Sequence, residues 1–161
     1  MGTMIAYMTK HGCTEKAAEM LNEHLGGAAE LVDLKRQKSP DLSRYDTVIV
    51  GGSIHAGKMQ KDVRKYLERN TEALLTKRLG LYLCCMEEGD TARKQFDEAF
   101  PVELRRHAAA TGLFGGEFDF ERMNFIERKL IKKVAGIEKS VSRIDEDAIR
   151  EFALEISRSS E

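Results

Sequence analysis

The sequence has few of the residues that interrupt or cross-link a chain: two prolines, three cysteines and no tryptophan in 161 residues. With so few prolines and no Ser/Gly-rich tract, no segment is a candidate linker, so we expect one domain over residues 1–161. The odd number of cysteines argues against a disulfide framework and favours a reducing compartment. A chain of this length can bury a core without disulfides.

Long apolar runs and an excess of one charge are also missing. No run approaches the ~20 residues that span a bilayer. The first residues enter an apolar segment without a basic lead-in, so we expect no signal peptide and a cytoplasmic protein. The net charge of −1 gives no reason to expect a nucleic-acid partner. The adjacent Cys84 and Cys85 lack the spacing of metal ligands; we predict buried thiols and no metal site.

Short apolar runs alternate with amphipathic segments along the chain. The uninterrupted run at 47–50 indicates a strand that is buried on both faces. Strands alternating with helices predict an α/β fold with a parallel sheet between two helical layers. Ligands of such sheets bind beyond the carboxyl ends of the strands, where the strand order reverses. The predicted strands are 3–8, 29–34, 47–52, 79–86 and 108–116, and the predicted helices are 13–25, 61–70, 91–100, 120–134 and 146–157.

The loop after the first strand reads Thr-Lys-His-Gly-Cys-Thr over residues 9–14. A helix that begins here offers unpaired backbone N–H groups and its positive dipole end to a phosphate. Gly12 lets the backbone come close, and Thr9 and Thr14 add hydroxyl donors. Lys10 either adds a positive charge or points to solvent. By themselves these residues fit an ordinary turn, with Thr14 capping the helix, equally well.

Two further loops follow the third and fourth strands. Residues 51–58 contain three glycines, which allow a flat ring to approach the backbone. His55 is a candidate to stack on such a ring, and an exposed loop histidine is an equal alternative. In residues 84–90, Cys85 and Met86 offer polarizable sulfur atoms that pack well on aromatic rings.

These loops resemble those of the flavodoxin family, whose phosphate loop follows the pattern [ST]-x-[ST]-G-x-T. Thr9, Gly12 and Thr14 match, while His11 and Cys13 depart from it. The resemblance implies a flavodoxin-like three-layer sandwich with a five-stranded parallel sheet in the order 2-1-3-4-5. It implies FMN as the cofactor, although Ala56 stands where many relatives carry a stacked Trp or Tyr. The implied FMN-binding residues are Thr9, Lys10, His11, Gly12, Cys13 and Thr14 for the phosphate, and Ser53, Ile54, His55, Ala56, Gly57, Met86 and Gly89 around the ring.

The carboxy-terminal third carries a basic amphipathic segment. Residues 122–139 contain six lysines and arginines and two glutamates. Such a helix is typical of one that lies on an anionic membrane surface or receives an acidic partner, and it is also typical of a solvated covering helix. The sequence therefore allows peripheral contact with the inner membrane face through this segment.

Residues 126–134 and 152–156 resemble the end of the flavodoxin-type menaquinone-dependent protoporphyrinogen dehydrogenases. This second resemblance implies an FMN-dependent oxidoreductase with a quinone or another small molecule as substrate. The alternatives are an electron carrier that docks with redox proteins, and a cofactor-free interaction module of the same fold. Carrier flavodoxins are usually strongly acidic, so the net charge favours the dehydrogenase. No catalytic side chain stands out, as expected when the cofactor does the chemistry, and the oligomeric state stays open.

Overall fold

The computed structural model describes residues 2–10, 12–118, 123–135 and 140–158. The strands and helices alternate over most of this length. The strands are β1 Gly2–Tyr7, β2 Glu30–Asp33, β3 Tyr45–His55, β4 Lys58–Met59, β5 Arg78–Cys84, β6 Ala110–Leu113, β7 Glu117–Phe118 and β8 Val141–Ser142. The α-helices are α1 Cys13–His24, α2 Lys61–Arg69, α3 Thr71–Leu74, α4 Gly89–Ala99, α5 Val102–His107, α6 Phe125–Ala135 and α7 Glu146–Ser157, and Leu42–Arg44 forms a 3₁₀ turn.

Five parallel strands form the main sheet in the order β2-β1-β3-β5-β6. Counted among the parallel strands alone, this is the predicted order 2-1-3-4-5, which is confirmed. The short β4 joins the same sheet antiparallel to β3. Ile5 in β1 pairs with Ile49 in β3. Both side chains are fully buried, because these two strands lie in the middle of the sheet.

Hydrophobic cores lie on both faces of the sheet, as the uninterrupted apolar runs predict. Side chains alternate along β1, so Met4 faces one core and Ile5 the other. One core packs α2 and α4 on the sheet through residues such as Leu67 and Phe96. The other packs α1 and α7 through residues such as Leu21. The fold is therefore the predicted three-layer α/β sandwich.

The carboxy-terminal part departs from the predicted elements. The fifth parallel strand ends at Leu113 because Gly115 adopts a left-handed φ of 76°. β7 and β8 follow and pair antiparallel, and α6 lies between them in the sequence. α6 begins at Phe125 rather than at residue 120, since Asn124 caps it by accepting a hydrogen bond from the Glu127 N–H at 2.8 Å. Residues 120–122 of the predicted helix lie outside the described residues.

Two shorter features also lack a sequence prediction. β3 continues past β1 and turns back as β4, and α5 inserts one and a half turns before β6. In the part of the chain that the structure describes, no helix combines the length and the apolar character that crossing a membrane requires.

Candidate functional site

The carboxyl ends of β1, β3 and β5 lie next to one another at one edge of the sheet. The chain leaves β1 toward β2 on one side and returns to β3 on the other, so the strand order reverses at this point. Crevices at such reversals are the usual ligand sites of open α/β sheets. The three loops selected from the sequence therefore meet where a ligand site is expected.

The loop between β1 and α1 is folded around Gly12. The Gly12 N–H donates to Thr9 Oγ1 at 2.7 Å, and Gly12 itself has φ 91° and ψ −8°. This left-handed backbone suits glycine, because a Cβ would be strained there. Gly12 is the N-cap of α1, and no side chain of the described residues caps the first turn. The alternative in which Thr14 caps the helix is therefore wrong.

Thr14 is fully buried beneath this loop. Among the described residues, its hydroxyl has no nitrogen or oxygen partner and hydrogen-bonds the Cys84 thiol, whereas its carbonyl accepts a hydrogen bond from Tyr82 Oη at 3.0 Å. The Tyr82 ring reaches α1 across its register partner Gly51, where an added Cβ would lie 1.9 Å from Tyr82 Cζ. The missing side chain at Gly51 thus lets β5 hold the start of α1.

The three cysteines are buried free thiols, as the sequence predicts for Cys84 and Cys85. Cys13 is the first residue of α1, and a hydrogen bond with the Cys84 thiol lowers its pKa. The same hydrogen bond raises the pKa of Cys84 well above its ordinary value, and burial adds to that rise. Burial also raises the pKa of Cys85.

Lysines of the first loop and of α1 pair with the segment that contains β7, α6 and β8, which is called the carboxy-terminal excursion below. Lys10 Nζ lies 3.0 Å from Glu127 Oε2 on α6, so its charge is engaged by a carboxylate. Lys16 Nζ lies 2.6 Å from Glu117 Oε1 on β7. β7 and α6 therefore lie beside the loop of residues 9–14. His11, which the sequence also assigns to this loop, lies outside the described residues.

Gln60 joins the loop after β1 to the loop after β3. Its Nε2 donates to Met8 O at 3.2 Å and to Ser53 Oγ at 2.7 Å, and its Oε1 accepts from the Ser53 N–H at 2.9 Å. Ser53 Oγ also lies 3.0 Å from His55 Nε2. Gln60 could not be predicted from the sequence, because a lone glutamine before a helix carries no signal of such a bridge.

The loop of residues 51–58, which was predicted to contact a flat ring, contains a tight hairpin between β3 and β4. Ile54 pairs with Met59 and His55 with Lys58, which leaves Ala56 and Gly57 as a two-residue turn. Both have left-handed backbones, with φ 52° and φ 80°, as two-residue hairpins of this kind require. His55 is half-buried and contacts Ser53, so it is not a freely exposed loop histidine.

The third loop packs on the connection that follows β6. The Cys85 N–H donates to Gly115 O at 2.9 Å. A Cβ on Gly116 would lie 2.8 Å from Met86 Sδ, so the half-buried Met86 side chain rests on that glycine. Gly89 is exposed and begins α4 with φ 59°. The hydrogen-bond network of the other two loops includes neither Met86 nor Gly89.

In the described ranges, no cluster of three or more His, Cys, Asp or Glu side chains could hold a metal ion. The arrangement offers instead an uncapped helix amino terminus, a buried hydroxyl and a short hairpin at one sheet edge. Such groups can bind an anion and an adjoining flat ring.

Comparisons with known proteins agree with this geometry. The family model described as a flavodoxin domain matches residues 4–145. The protoporphyrinogen IX dehydrogenase [quinone] of Escherichia coli strain K12 is 23% identical over 172 residues, which cover 98% of this chain and 95% of that protein. Oxidised flavodoxin 1 from Bacillus cereus superposes with a TM-score of 0.57 at 17% identity over 97% of each chain. The flavodoxin of Streptococcus pneumoniae TIGR4 does so with a TM-score of 0.56 at 16% identity over 98% of each chain.

Proposed function

Because the chain belongs to the flavodoxin domain family, we propose that it is an FMN-dependent oxidoreductase that passes electrons from a reduced small molecule to a quinone. FMN is the cofactor of this family, and electron transfer is its common activity. When bound, FMN supplies the redox chemistry, and the protein supplies binding and orientation. We propose further that residues 1–161 act as one domain at the cytoplasmic side of the membrane.

The observation that carries the proposal is the start of α1. The first turn has no side-chain cap, and the left-handed Gly12 turns the backbone toward it. Among the described residues, the buried Thr14 hydroxyl has no nitrogen or oxygen partner and hydrogen-bonds only the Cys84 thiol, and sulfur is a weak partner compared with a phosphate oxygen. A phosphate is therefore a fitting ligand here, with Thr9, Gly12, Cys13 and Thr14 around it.

The isoalloxazine ring fits the β3–β4 hairpin. In the proposal the hairpin residues Ser53, Ile54, His55, Ala56 and Gly57 frame the ring. The hydrogen bonds of Gln60 to Ser53 and Met8 hold this hairpin against the phosphate loop. That bridge would fix the spacing between the groups that bind the two ends of FMN. Met86 and Gly89 are proposed for the opposite side of the ring.

The Escherichia coli relative supports a quinone as the acceptor and a porphyrinogen as the donor, because it is a quinone-dependent protoporphyrinogen IX dehydrogenase. The net charge of −1 also supports an enzyme more than a carrier that docks by strong acidic charge. An electron carrier for redox proteins is the second candidate, since the flavodoxins of similar fold support it.

The cofactor is tested by titrating the purified protein with FMN and recording the flavin absorbance and fluorescence. We expect wild-type protein to bind FMN more tightly than riboflavin, which lacks the phosphate. Gly12→Asp should weaken FMN binding at least 100-fold, since it adds a negative charge at the phosphate. Gly26→Asp is the matched control, because Gly26 has a similar left-handed φ of 86° at the other end of α1.

Equal FMN affinities of the two variants would contradict the phosphate loop, and a wild-type protein that ignores FMN would support a cofactor-free module. The reaction is tested without oxygen, with protoporphyrinogen IX as donor and menadione as acceptor. Each cycle should remove two electrons and two protons from the donor and reduce one quinone to quinol. If FMN binds and only a protein acceptor is reduced, the carrier is the correct function.

A further inference from the structure

α6 exposes large apolar side chains to solvent. Phe125 is 76% exposed, Ile126 is 77% exposed and Leu130 is 56% exposed. Ile126 and Leu130 are four residues apart and share one face of the helix. Neighbouring apolar side chains this exposed on one short helix indicate a surface that meets another apolar phase.

The charges on the same helix are almost all positive. Arg128, Lys129, Lys132 and Lys133 are exposed. Glu127 is the carboxylate of this described helix, and it is paired with Lys10 toward the phosphate loop. The side of α6 that faces solvent is therefore basic.

Phe125 lies among these cations. The Lys129 ammonium lies 5.8 Å from the centre of the Phe125 ring, so this aromatic side chain and a cation share one exposed surface. Long lysine side chains can lay their methylene groups along an apolar surface while the charge reaches the headgroups. A short helix with exposed apolar side chains and a basic polar face is typical of one that lies in the plane of a bilayer.

We propose that α6 is a docking surface for anionic lipid bilayers and that its apolar side chains insert at the headgroup boundary. Anionic lipid matches both properties, because acidic headgroups complement the cations and acyl chains accept Phe125 and Ile126. An acidic protein surface would complement the charge and leave these side chains exposed. The occupant is thus a membrane surface of negative charge.

The position of α6 gives this docking a role. The Lys10–Glu127 ion pair places α6 beside the loop of residues 9–14. Docking therefore brings the proposed flavin site to the bilayer, in which a quinone with an isoprenoid tail is dissolved. That role rests on the proposed function, whereas binding to lipid does not.

Binding is tested by co-sedimentation of the full chain with vesicles of phosphatidylcholine alone or with ~30% phosphatidylglycerol. We expect sedimentation with the anionic vesicles only, and at least tenfold weaker binding at high salt, since salt screens the attraction between the basic side chains and the anionic headgroups. Ile126→Ser with Leu130→Ser should weaken binding at least tenfold. Leu154→Ser on α7 is the matched control, because Leu154 is also 62% exposed.

The charge contribution is tested by changing Lys129, Lys132 and Lys133 to Gln. This triple variant should lose the preference for phosphatidylglycerol. The corresponding change of the exposed Arg64, Lys65 and Arg69 on α2 should retain it. Equal losses in both triple variants would mean that overall charge, and not α6, attracts the vesicles, and would overturn the proposal.

Insertion is tested by fluorescence, because the natural chain has no tryptophan. Phe125→Trp should emit at shorter wavelength when anionic vesicles are added, and Leu154→Trp should not shift. No shift of Phe125→Trp with any vesicle would overturn the proposal. A blue-shifted emission without vesicles, together with a dimer mass in light scattering, would overturn it in favour of a second copy of the chain. Because none of these measurements needs FMN, their failure is distinguishable from failure of the proposed redox function.

Discussion

At the scale of single residues, Tyr66 is a buried side chain that carries an unsatisfied group. It lies on α2 with 1% of its surface exposed, and its hydroxyl has no hydrogen-bond partner among the residues that the structure describes. Burial raises its pKa to about 12. A buried hydroxyl without a partner costs about 1–3 kcal/mol, so the fold is less stable than it would be with a phenyl ring at this position.

Tyr66→Phe should raise the free energy of unfolding by about 1 kcal/mol at pH 8, measured by urea denaturation. The hydroxyl of Tyr45 donates to Glu30, so Tyr45→Phe should instead lower stability. The pKa of Tyr66 in the folded state is raised above its ordinary value of 10, so the folded state holds this proton more tightly than the unfolded state. The stability that depends on the neutral phenol is complete below pH 10 and is lost as pH rises through about 12. Wild-type stability should fall more steeply over that interval than the stability of Tyr66→Phe; equal slopes would contradict the assignment.

Ala56 has a left-handed backbone in the β3–β4 turn, with φ 52°. A left-handed backbone destabilises most residues other than glycine by about 1–2 kcal/mol. Asn before Gly is the favoured pair for such a turn. Ala56→Asn should therefore raise the melting temperature by about 2 °C, as measured by circular dichroism. Ala28→Asn, at an exposed position without this constraint, serves as control. A lower melting temperature for Ala56→Asn alone would be inconsistent with strain at this turn.

Single residues also show where sequence reasoning ends. Thr9 and Gly12 could be selected because a known loop pattern and a helix start coincide there. Gln60 could not, since its partners Ser53 and Met8 become neighbours only after β1 and β3 pair. The engagement of Lys10 by Glu127 could not be predicted either, because 117 positions along the chain separate them.

At the scale of elements, β3 and β5 pack closely because β3 has a glycine, Gly51, beneath the Tyr82 ring of β5. The Tyr82 ring fills the space over Gly51 and reaches Thr14 O. Gly51→Ala should therefore lower the free energy of unfolding by about 2–3 kcal/mol, because the added Cβ overpacks the core. It should also weaken FMN binding by displacing the start of α1.

The matched control for that change is Gly2→Ala in β1. A Cβ there would make ordinary contact with Tyr45 at 3.5 Å. Its stability in urea should stay within about 0.5 kcal/mol of wild type, as for most substitutions that create no clash. If Gly51→Ala is no less stable than Gly2→Ala, Tyr82 does not occupy the place that the structure gives it.

The elements themselves were mostly predictable. Apolar runs predicted four strands of the parallel sheet, and the alternation of apolar and acidic residues over 29–34 predicted β2. β4, β7 and β8 were missed, since strands of two residues have no period to detect. The fifth strand was predicted too long, because its apolar run continues to Phe114 while Gly115 turns the backbone away.

At the scale of the whole molecule, an ion pair attaches the carboxy-terminal excursion to the sandwich. The Glu117 side chain is 9% exposed and is paired with Lys16 on α1. Removing the lysine leaves a buried carboxylate without its partner, which is more costly than losing an exposed pair. The Lys10–Glu127 pair is more exposed and contributes about 0.2–1 kcal/mol.

Lys16→Met should therefore loosen the excursion, and trypsin should cleave α6 several times faster than in wild type. Cleavage after Arg128 and Lys129 is followed by mass spectrometry. Arg150→Gln, which removes an exposed pair with Asp147 on α7, should leave the cleavage rate unchanged. Unchanged cleavage in Lys16→Met would show that other contacts hold the excursion in place.

The strand order could be expected from the resemblance, because a parallel sheet with alternating helices has few connected arrangements. The placement of α6 beside the phosphate loop could not, since it depends on ion pairs between distant segments. Sequence reasoning thus located the ligand edge, and tertiary contacts decided what surrounds it.

The central position of β1 also governs the order of events during synthesis. Residues 2–7 are translated before the other strands of the sheet, and β2 can pair with them once residue 33 has emerged. The other edge of β1 stays open until residues 45–51 follow. At ~5–20 residues per second, the nascent chain carries an open strand edge for about one to several seconds. During that time, the unpaired edge of β1 can bind other strands or chaperones near the ribosome exit.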